Sequence, residues 1–305
     1  MNKMMITSEL IPLFHQCFPY VIRDDASILS VAQHEKSRVL ERRSPKGRLI
    51  GTAILNDGTI LMLCVEKAWR RQGIGSSLLE EAERIAREEG HEKINAGVGY
   101  TYLMPGVPTR NHRLPTVNEQ LDERVTAEGE RFFVHHGYGY GGECDYFDMR
   151  FLLSDMPEEA LKEANTGDIA FRWAEKKDMD AVWACTEDAM PDFTPYYRNE
   201  RLYQGGAGRE NALLAVCGDD VVGAVIAGVD SEPDGLGSIG CTCVRQAFRG
   251  RGIASGLACR ATARLKEQGL RESWLSYTYT GLDKMYGRAG YRISVYYMMA
   301  EKKLC

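Results

Sequence analysis

Apolar residues at Met179, Val182, Trp183 and Ala189 fall on one face of a helix within the run "AEKKDMDAVWACTEDAM". "YYRNERLY" after it also predicts a helix. The next stretch, "NALLAVCGDDVVGAVIAGVDSEPDGLGSIGCTCV", predicts three strands that turn at Gly218-Asp219-Asp220 and at Glu232-Pro233-Asp234-Gly235. "RGRGIASGLACRATARLKEQG" predicts a glycine-rich turn feeding a helix that stops near Gly269, where a helix C-terminus favours glycine. "RESWLSYTY" is then a strand, "GLDKMYGRAG" a short helix and "YRISVYYMMAEK" a last strand. With a strand at 168–173 in front, the order is β-α-α-β-β-β-α-β-α-β.

Much of that order repeats in the first half. "ITSELIPLFHQCF" and "SILSVAQ" predict helices, and "SRVLERR", "GRLIGTAIL" and "GTILMLCV" predict strands. "RRQGIGSSLLEEAERIAREEG" is again a turn and helix, "HEKINAGVG" a strand, "AEGERFFVHHGYG" the counterpart of the short helix, and "CDYFDMRFLL" a closing strand. The halves differ in one place: about 64 positions separate Gly73 from Gly137, against about 38 from Gly252 to Gly290. The excess, Tyr100 to Thr126, predicts a surface loop, and a long loop beside a motif is where substrate choice is expected to reside.

A polar, acidic stretch around residues 153–167, "LSDMPEEALKEANTG", separates the halves. The expected organisation is a first domain over 1–153 with the insertion at 100–126, a linker over 154–167, and a second domain over 168–305. The fold class this implies is α/β, with a mixed, mostly antiparallel twisted sheet flanked by helices in each domain. At 305 residues each half is long enough to bury its own core.

Composition narrows the function classes. Hydrophobic residues make up 44% and charged residues 27%, as in ordinary globular chains, and no apolar run approaches the ~20 residues of a membrane span. The N-terminal stretch, broken by Glu9, is too weakly apolar for a signal peptide, so a cytoplasmic protein is expected. A net charge of −5 argues against nucleic acid as a partner. Nine cysteines without a C-x-x-C pair indicate neither a disulfide framework nor a zinc site, and no metal is expected. Cys241 and Cys243, two apart, read as one face of a strand packed in the core. A homodimer is compatible with this composition.

The device that repeats is a strand followed by R-x-x-G-x-[GA] and a helix: Arg70, Gly73 and Gly75 match Arg249, Gly252 and Ala254. Such a turn leaves backbone N–H groups unpaired at a helix start, where the dipole also favours negative charge, so it suits a phosphate. Gly250 and Gly252 permit close approach, and Arg245, Arg249 and Arg251 add charge at the rim. Neither "GRGIAS" nor "QGIGSS" carries the third glycine of a dinucleotide fingerprint, and no G-x-x-x-x-G-K-[ST] run exists.

Strand, R-x-x-G-x-[GA], helix, strand, short tyrosine-bearing helix and G-[FY] together resemble the GNAT superfamily of acetyl-CoA-dependent N-acetyltransferases, in both halves. The resemblance implies that the strand end at Val244 and the turn Arg249, Gly250, Arg251, Gly252, Ile253 and Ala254 hold acetyl-CoA. It further implies that a backbone N–H of the fourth strand stabilises the oxyanion while an amine attacks the thioester, and that a tyrosine before G-[FY] protonates the departing thiolate. Tyr286 stands at that position in the second half. In the first half the position is Phe133, which has no proton to give, with His135 or His136 as the only nearby replacements. Candidates for the base are Glu187, Asp188, Asp192 or a water relay.

"YLMPGVP" resembles a P-G-V-P loop of GNAT-like proteins linked to amino-sugar metabolism, some fused to glycosidases. Tyr102, Pro105, Gly106, Val107 and Pro108 are therefore substrate candidates, expected to stiffen a pocket edge. If the first half were the catalytic one, Arg110, His112 and Asp122 would face the substrate with them. The leading expectation is acetyl transfer to a primary amine of a small molecule, possibly an amino sugar such as glucosamine, in the second half. The alternatives are transfer to a thiol-cofactor precursor and a catalytically silent acetyl-CoA sensor.

Overall fold

The computed structural model describes residues 3–97, 103–143, 145–158, 160, 167–229 and 235–304. Tyr102 and half of the 154–167 connector lie outside them. In chain order the elements are α1 (Lys3–Cys17), α2 (Asp25–Gln33), β1 (Ser37–Arg43), β2 (Leu49–Asn56), β3 (Thr59–Val65), α3 (Ile74–Glu88), β4 (Lys93–Ala96), β5 (Val107–Thr109), α4 (Glu128–His135), β6 (Gly139–Tyr140) and β7 (Tyr146–Leu152). There follow β8 (Ile169–Trp173), α5 (Met179–Ala189), α6 (Thr194–Tyr197), β9 (Glu210–Cys217), β10 (Asp220–Val229), β11 (Leu236–Val244), α7 (Ile253–Glu267), β12 (Glu272–Tyr279), α8 (Asp283–Ala289), β13 (Arg292–Met298) and β14 (Ala300–Lys303).

Two compact units result: Met1–Pro115 with Leu121–Phe147 and Ser294–Cys305, and Thr116–Gln120 with Asp148–Ile293. In the first, the strand order is β1-β2-β3-β4-β14-β6. β1, β2 and β3 are antiparallel neighbours, β3 and β4 are parallel, and β14 is antiparallel to both β4 and β6. The expected single last strand is interrupted at Met299. Its first part, β13, pairs with β5 through Tyr296–Met298, and its second part, β14, completes the first unit's sheet.

Alternation along the strands produces a core on each face of this sheet. Leu49, Ile54, Met62 and Cys64 join α1 and α2, with Leu10, Phe14 and Ile28 among their buried partners. Ala53, Leu55, Ile60 and Val65 join Leu78, Leu79 and Ala82 of α3 and Phe133 of α4. In the second unit β8, β9, β10 and β11 form an antiparallel ladder, β12 is parallel to β11, and β7 lies beside β12. Val182 and Cys185 of α5 pack with Leu214, Val216 and Ala224 on one side. The "YYRNERLY" segment forms only the end of the four-residue α6 and a 3-10 turn at Glu200–Leu202, because Tyr197 and Leu202 are buried while Tyr203 Oη donates back to Tyr197 O at 2.7 Å.

Only part of the insertion is the surface loop that its length predicts: residues 110–124 are exposed or half-buried, but the stretch before them is not. Leu103 and Met104 enter the core beside α1, and Leu103 through Thr109 are all buried. Gly106 is required by close approach: a Cβ there would run into the carbonyl of Met298, a backbone atom with no freedom to yield. Gly106→Ala is therefore expected to cost about 3 kcal/mol as an overpacking change. Gly139→Ala, where nothing lies within 4 Å, should stay within about 0.5 kcal/mol. Chemical denaturation of the two variants beside the parent checks this.

Candidate active site

The second unit's glycine turn begins where β11 ends at Val244. A 3-10 turn over Gln246–Phe248 leads to Arg249 in extended conformation, and Gly252 caps α7 with φ of +77°. Gly250 is also left-handed, at +79°. Nothing lies within 4 Å of a Cβ at either position, so backbone angle and not space demands glycine there. Gly256 N is the first of α7 to bond back, to Gly252 O at 2.9 Å. The N–H groups of Ile253, Ala254 and Ser255 precede the first intrahelical acceptor, and such a helix start is suited to an anion.

The arginines of the turn have distinct duties. Arg249 Nε donates to Val244 O at 3.1 Å and its terminal nitrogen to Ala189 O at 2.9 Å, so it ties the turn to the strand end and to α5. Exposed Arg251 pairs with Asp168 and lies 5.6 Å over the Phe248 ring.

Beside this turn the sheet opens. β11 and β12 are paired at Leu236↔Glu272, Gly237↔Ser273 and Ser238↔Trp274, and no pairs are described beyond. On its other edge β11 carries a bulge. Ala224 faces Cys243 and Ile226 faces Gly240, so Cys241 and Thr242 stand opposite Val225 alone. The extra residue of a bulge is left out of the ladder. Cys241 is left-handed at φ +51°, and its carbonyl accepts from the Tyr197 hydroxyl at 2.9 Å. Tyr197 is fully buried, which braces the irregularity from beneath.

Tyr286, on α8, donates to Thr242 Oγ1 at 3.3 Å, next to the bulge. Burial pushes its phenol up to about 12, with the Thr242 contact pulling the other way. A phenol so placed keeps its proton at neutral pH and has one to give. Its ring meets Tyr291 edge-on, with centroids 6.2 Å apart. Tyr291 Oη is held by Ser273 Oγ at 2.7 Å and Thr262 Oγ1 at 3.1 Å. Gly290 ends α8 in the left-handed region at +112°, and a side chain there would overlap the Phe151 ring.

The first unit repeats the frame with a different short helix. Arg70 Nε donates to Val65 O at 2.9 Å, as Arg249 does to Val244, and Gly73 caps α3 with φ of +78°. Phe133 takes the place of Tyr286 and meets Tyr138 edge-on at 5.1 Å. β3 is in regular register from Val65 back to Met62, facing Gly51 through Ile54, so the residues corresponding to the bulge are paired. β3 carries its own surplus residue further back, at Leu61, between Met62 facing Ile54 and Ile60 facing Leu55.

Helix α4 also lies against the start of α3. A Cβ on Gly75 would be 3.3 Å from the Phe132 ring, and His136 Nε2 lies 2.9 Å from Ser76 Oγ. Glu128 accepts from Arg70 at 3.1 Å. Charge does not separate the two turns, since Lys67, Arg70 and Arg71 outweigh Glu66 in the first. At the positions corresponding to Phe132 and His136 the second unit has Met285 and Ala289, neither of which carries a ring.

The other candidates are dispersed. Pro105, Gly106, Val107 and Pro108 are buried around β5, so they line no open pocket edge. Arg110 donates to the carbonyls of Asp122 and Val125 at 2.9 and 3.2 Å, and His112 Nδ1 sits 3.0 Å from Leu114 O; both hold the insertion together. Glu187, Asp188 and Asp192 are exposed, and none is hydrogen-bonded to Thr242 or Tyr286. Cys241 and Cys243 both pack into the core cluster that holds Cys185, despite the bulge beside them. Sequence reasoning passed over Thr242 and Tyr197; a tyrosine amid turn-forming residues gives no local cue that its hydroxyl braces a strand.

Among the described residues no group of three or more His, Cys, Asp or Glu could hold a metal ion, and no helix is long and apolar enough to cross a membrane.

Comparison with known proteins bears on the frame as a whole. No curated protein matches the chain. Among solved structures, the glucosamine N-acetyltransferase region of a fungal multi-domain GH3 β-N-acetylglucosaminidase is similar over 99% of this chain and 37% of that one, with TM-score 0.72 and 19% identity. The chain thus spans well under half the length of that protein. A tandem GNAT protein from the clavulanic acid biosynthesis pathway is similar over 100% of this chain and 96% of its own, with TM-score 0.68 and 15% identity. A GCN5-related N-acetyltransferase from Sphaerobacter thermophilus gives 0.66 and 18%, over 98% and 93%. At these identities the likeness establishes the fold. The acetyltransferase (GNAT) family itself matches residues 7–103 and 170–291, more than half of the chain. With a glycine turn, a splayed parallel strand pair and the family match occurring once in each half, the chain belongs to the GNAT acetyltransferase family as a tandem member.

Proposed function

We propose that the chain is an acetyl-CoA-dependent N-acetyltransferase for a primary amine of a small molecule, and that the second half carries the chemistry. The observation that carries this reading is the bulge at Cys241–Thr242 beside a protonated Tyr286, set against Phe133 and a surplus residue displaced to Leu61 in the first half. Acetyl-CoA is the acyl donor that members of the family use, and it brings a thioester carbonyl and a thiolate leaving group. The residues fit it: Ile253, Ala254 and Ser255 offer N–H groups to its phosphates, the opening between β11 and β12 admits an extended arm, and the bulged segment offers a backbone donor where negative charge develops. Tyr286 holds a proton at Oη for the leaving sulfur.

An amino sugar such as glucosamine is the first amine to test, supported by the name of the fungal relative and by the Pro105–Pro108 resemblance. Transfer to a thiol-cofactor precursor is the neighbouring reading, and a panel of amines separates the two. Because Phe132 and His136 lie across the start of α3, the reading also includes one acetyl-CoA per chain, bound in the second half.

Tyr286→Phe should lower kcat about 10²-fold while leaving KM for acetyl-CoA unchanged, because the proton is needed only as the thiolate leaves. Equal turnover in both proteins would remove Tyr286 from the reaction. The raised phenol pKa fixes the sign of the pH dependence: Tyr286 keeps its proton until pH climbs toward 12. The rate should therefore rise as the amine deprotonates and show no alkaline fall assignable to Tyr286 below about pH 11. Calorimetric titration of acetyl-CoA should give a stoichiometry of one, abolished by Gly252→Glu, which puts a side chain at φ +77° and a negative charge at the helix start. A stoichiometry of two, or binding that survives the substitution, would contradict the assignment.

A further inference from the structure

One stretch of the first half's long insertion, Thr116–Gln120, lies in the second unit with Asp148–Ile293. There it meets α8, the helix that carries Tyr286. Val117 N donates to Asp283 Oδ2 at 2.7 Å, and Asn118 Nδ2 donates to Asp283 O at 3.3 Å. Asn118 also receives Arg292 at Oδ1, 2.6 Å away, and Ile293 N at its carbonyl, 2.7 Å away. Gln120 N closes the set by donating to Ile293 O at 2.9 Å. The segment is thus hydrogen-bonded to the first residue of α8 and to the two residues that open β13, on either side of Tyr286 in sequence.

Two features show how closely the segment is fitted. Gly287, the residue after Tyr286, has no room for a side chain, because a Cβ there would overlap the Asn118 amide. Asn118 itself is left-handed at φ +61°, a conformation asparagine accepts more readily than most residues. Asp283 is a carboxylate only 2% exposed, satisfied by Val117 N and by Gly281 N at 3.0 Å. Burying such a group is tolerable only while its donors stay in place, so Asp283 and the strap hold each other.

We propose that Thr116–Gln120 is a strap that fixes α8, and that Asn118 and Asp283 are positioning residues for Tyr286. This rests on the reading of Tyr286 as the proton donor. The strap touches α8 at Asp283 and Gly287 and leaves the Tyr286 hydroxyl to Thr242, so it sets where the helix sits without supplying a group to the reaction. The insertion then serves the second half by placing its acid.

Asn118→Gly tests this, because glycine accepts φ near +61° while the amide's bonds to Asp283 and Arg292 are lost. With the amine that the panel identifies, kcat should fall about tenfold at unchanged KM for acetyl-CoA, a loss in keeping with misplacement of a reacting group by a fraction of an ångström. In a Tyr286→Phe background the same change should cost nothing further. Asp283→Asn, which keeps the shape and removes the charge, should behave likewise. Hydrogen exchange, which needs no substrate, should show faster exchange across Asp283–Ala289 in both variants. Unaltered protection of α8, or an equal fractional loss of kcat with and without the Tyr286 hydroxyl, would overturn the strap as a positioning device. Wild-type kcat in Tyr286→Phe alone would instead overturn the proton-donor reading on which it rests.

Discussion

Two residues of β11 stand opposite one residue of β10, and much of the site depends on that single surplus residue. Cys241 adopts φ +51° to accommodate it, and the buried Tyr197 hydroxyl binds its carbonyl. Thr242 is thereby presented to Tyr286, and the strand turns away from β12 after Ser238. β3 keeps its pairing with β2 from Val65 to Met62 and has its surplus residue at Leu61, and its pairing with β4 likewise stops at Ile60. The irregularity is local, yet it leaves a backbone group out of the ladder and presents a partner to the phenol.

The glycine turns show how the same backbone can be kept while its use diverges. Both helices start from a left-handed glycine, and both arginines donate to the strand-end carbonyl at close to 3 Å. These contacts concern the folding of the turn, and both halves need them. What differs is the short helix opposite. Phe132 and His136 close on α3 in one half, whereas the corresponding positions in the other hold Met285 and Ala289. The first half has kept the interactions that make a stable unit, and its β14 comes from the far end of the chain.

Much of this was legible in the residues, and the reason is locality. Helix faces, strand alternation, the R-x-x-G-x-[GA] spacing and the contrast of Tyr286 with Phe133 are all encoded within a few positions of one another. The exceptions are long-range. Nothing near Cys241 announces a bulge, because a bulge is a property of two strands together. Nothing in "YYMMAEK" tells that Ala300–Lys303 pair with β4, or that Met299 separates two strands. Pro105 to Pro108 read as a stiff pocket edge from their proline and glycine content, but the buried Leu103, Met104 and Val107 around them draw the loop inward. The site residues that escaped notice, Thr242, Tyr197 and Asn118, act through partners 44, 44 and 165 positions away.

The proposed reading stands on the opening between β11 and β12, rather than the one between β3 and β4, receiving the acyl donor. A crystal structure with coenzyme A tests it most directly. The account predicts the pantetheine arm between β11 and β12, its phosphates at the N–H groups of Ile253 to Ser255, and its sulfur within hydrogen-bonding reach of the Tyr286 hydroxyl. Coenzyme A lying along β3 and β4, with its phosphates at the start of α3, would contradict it.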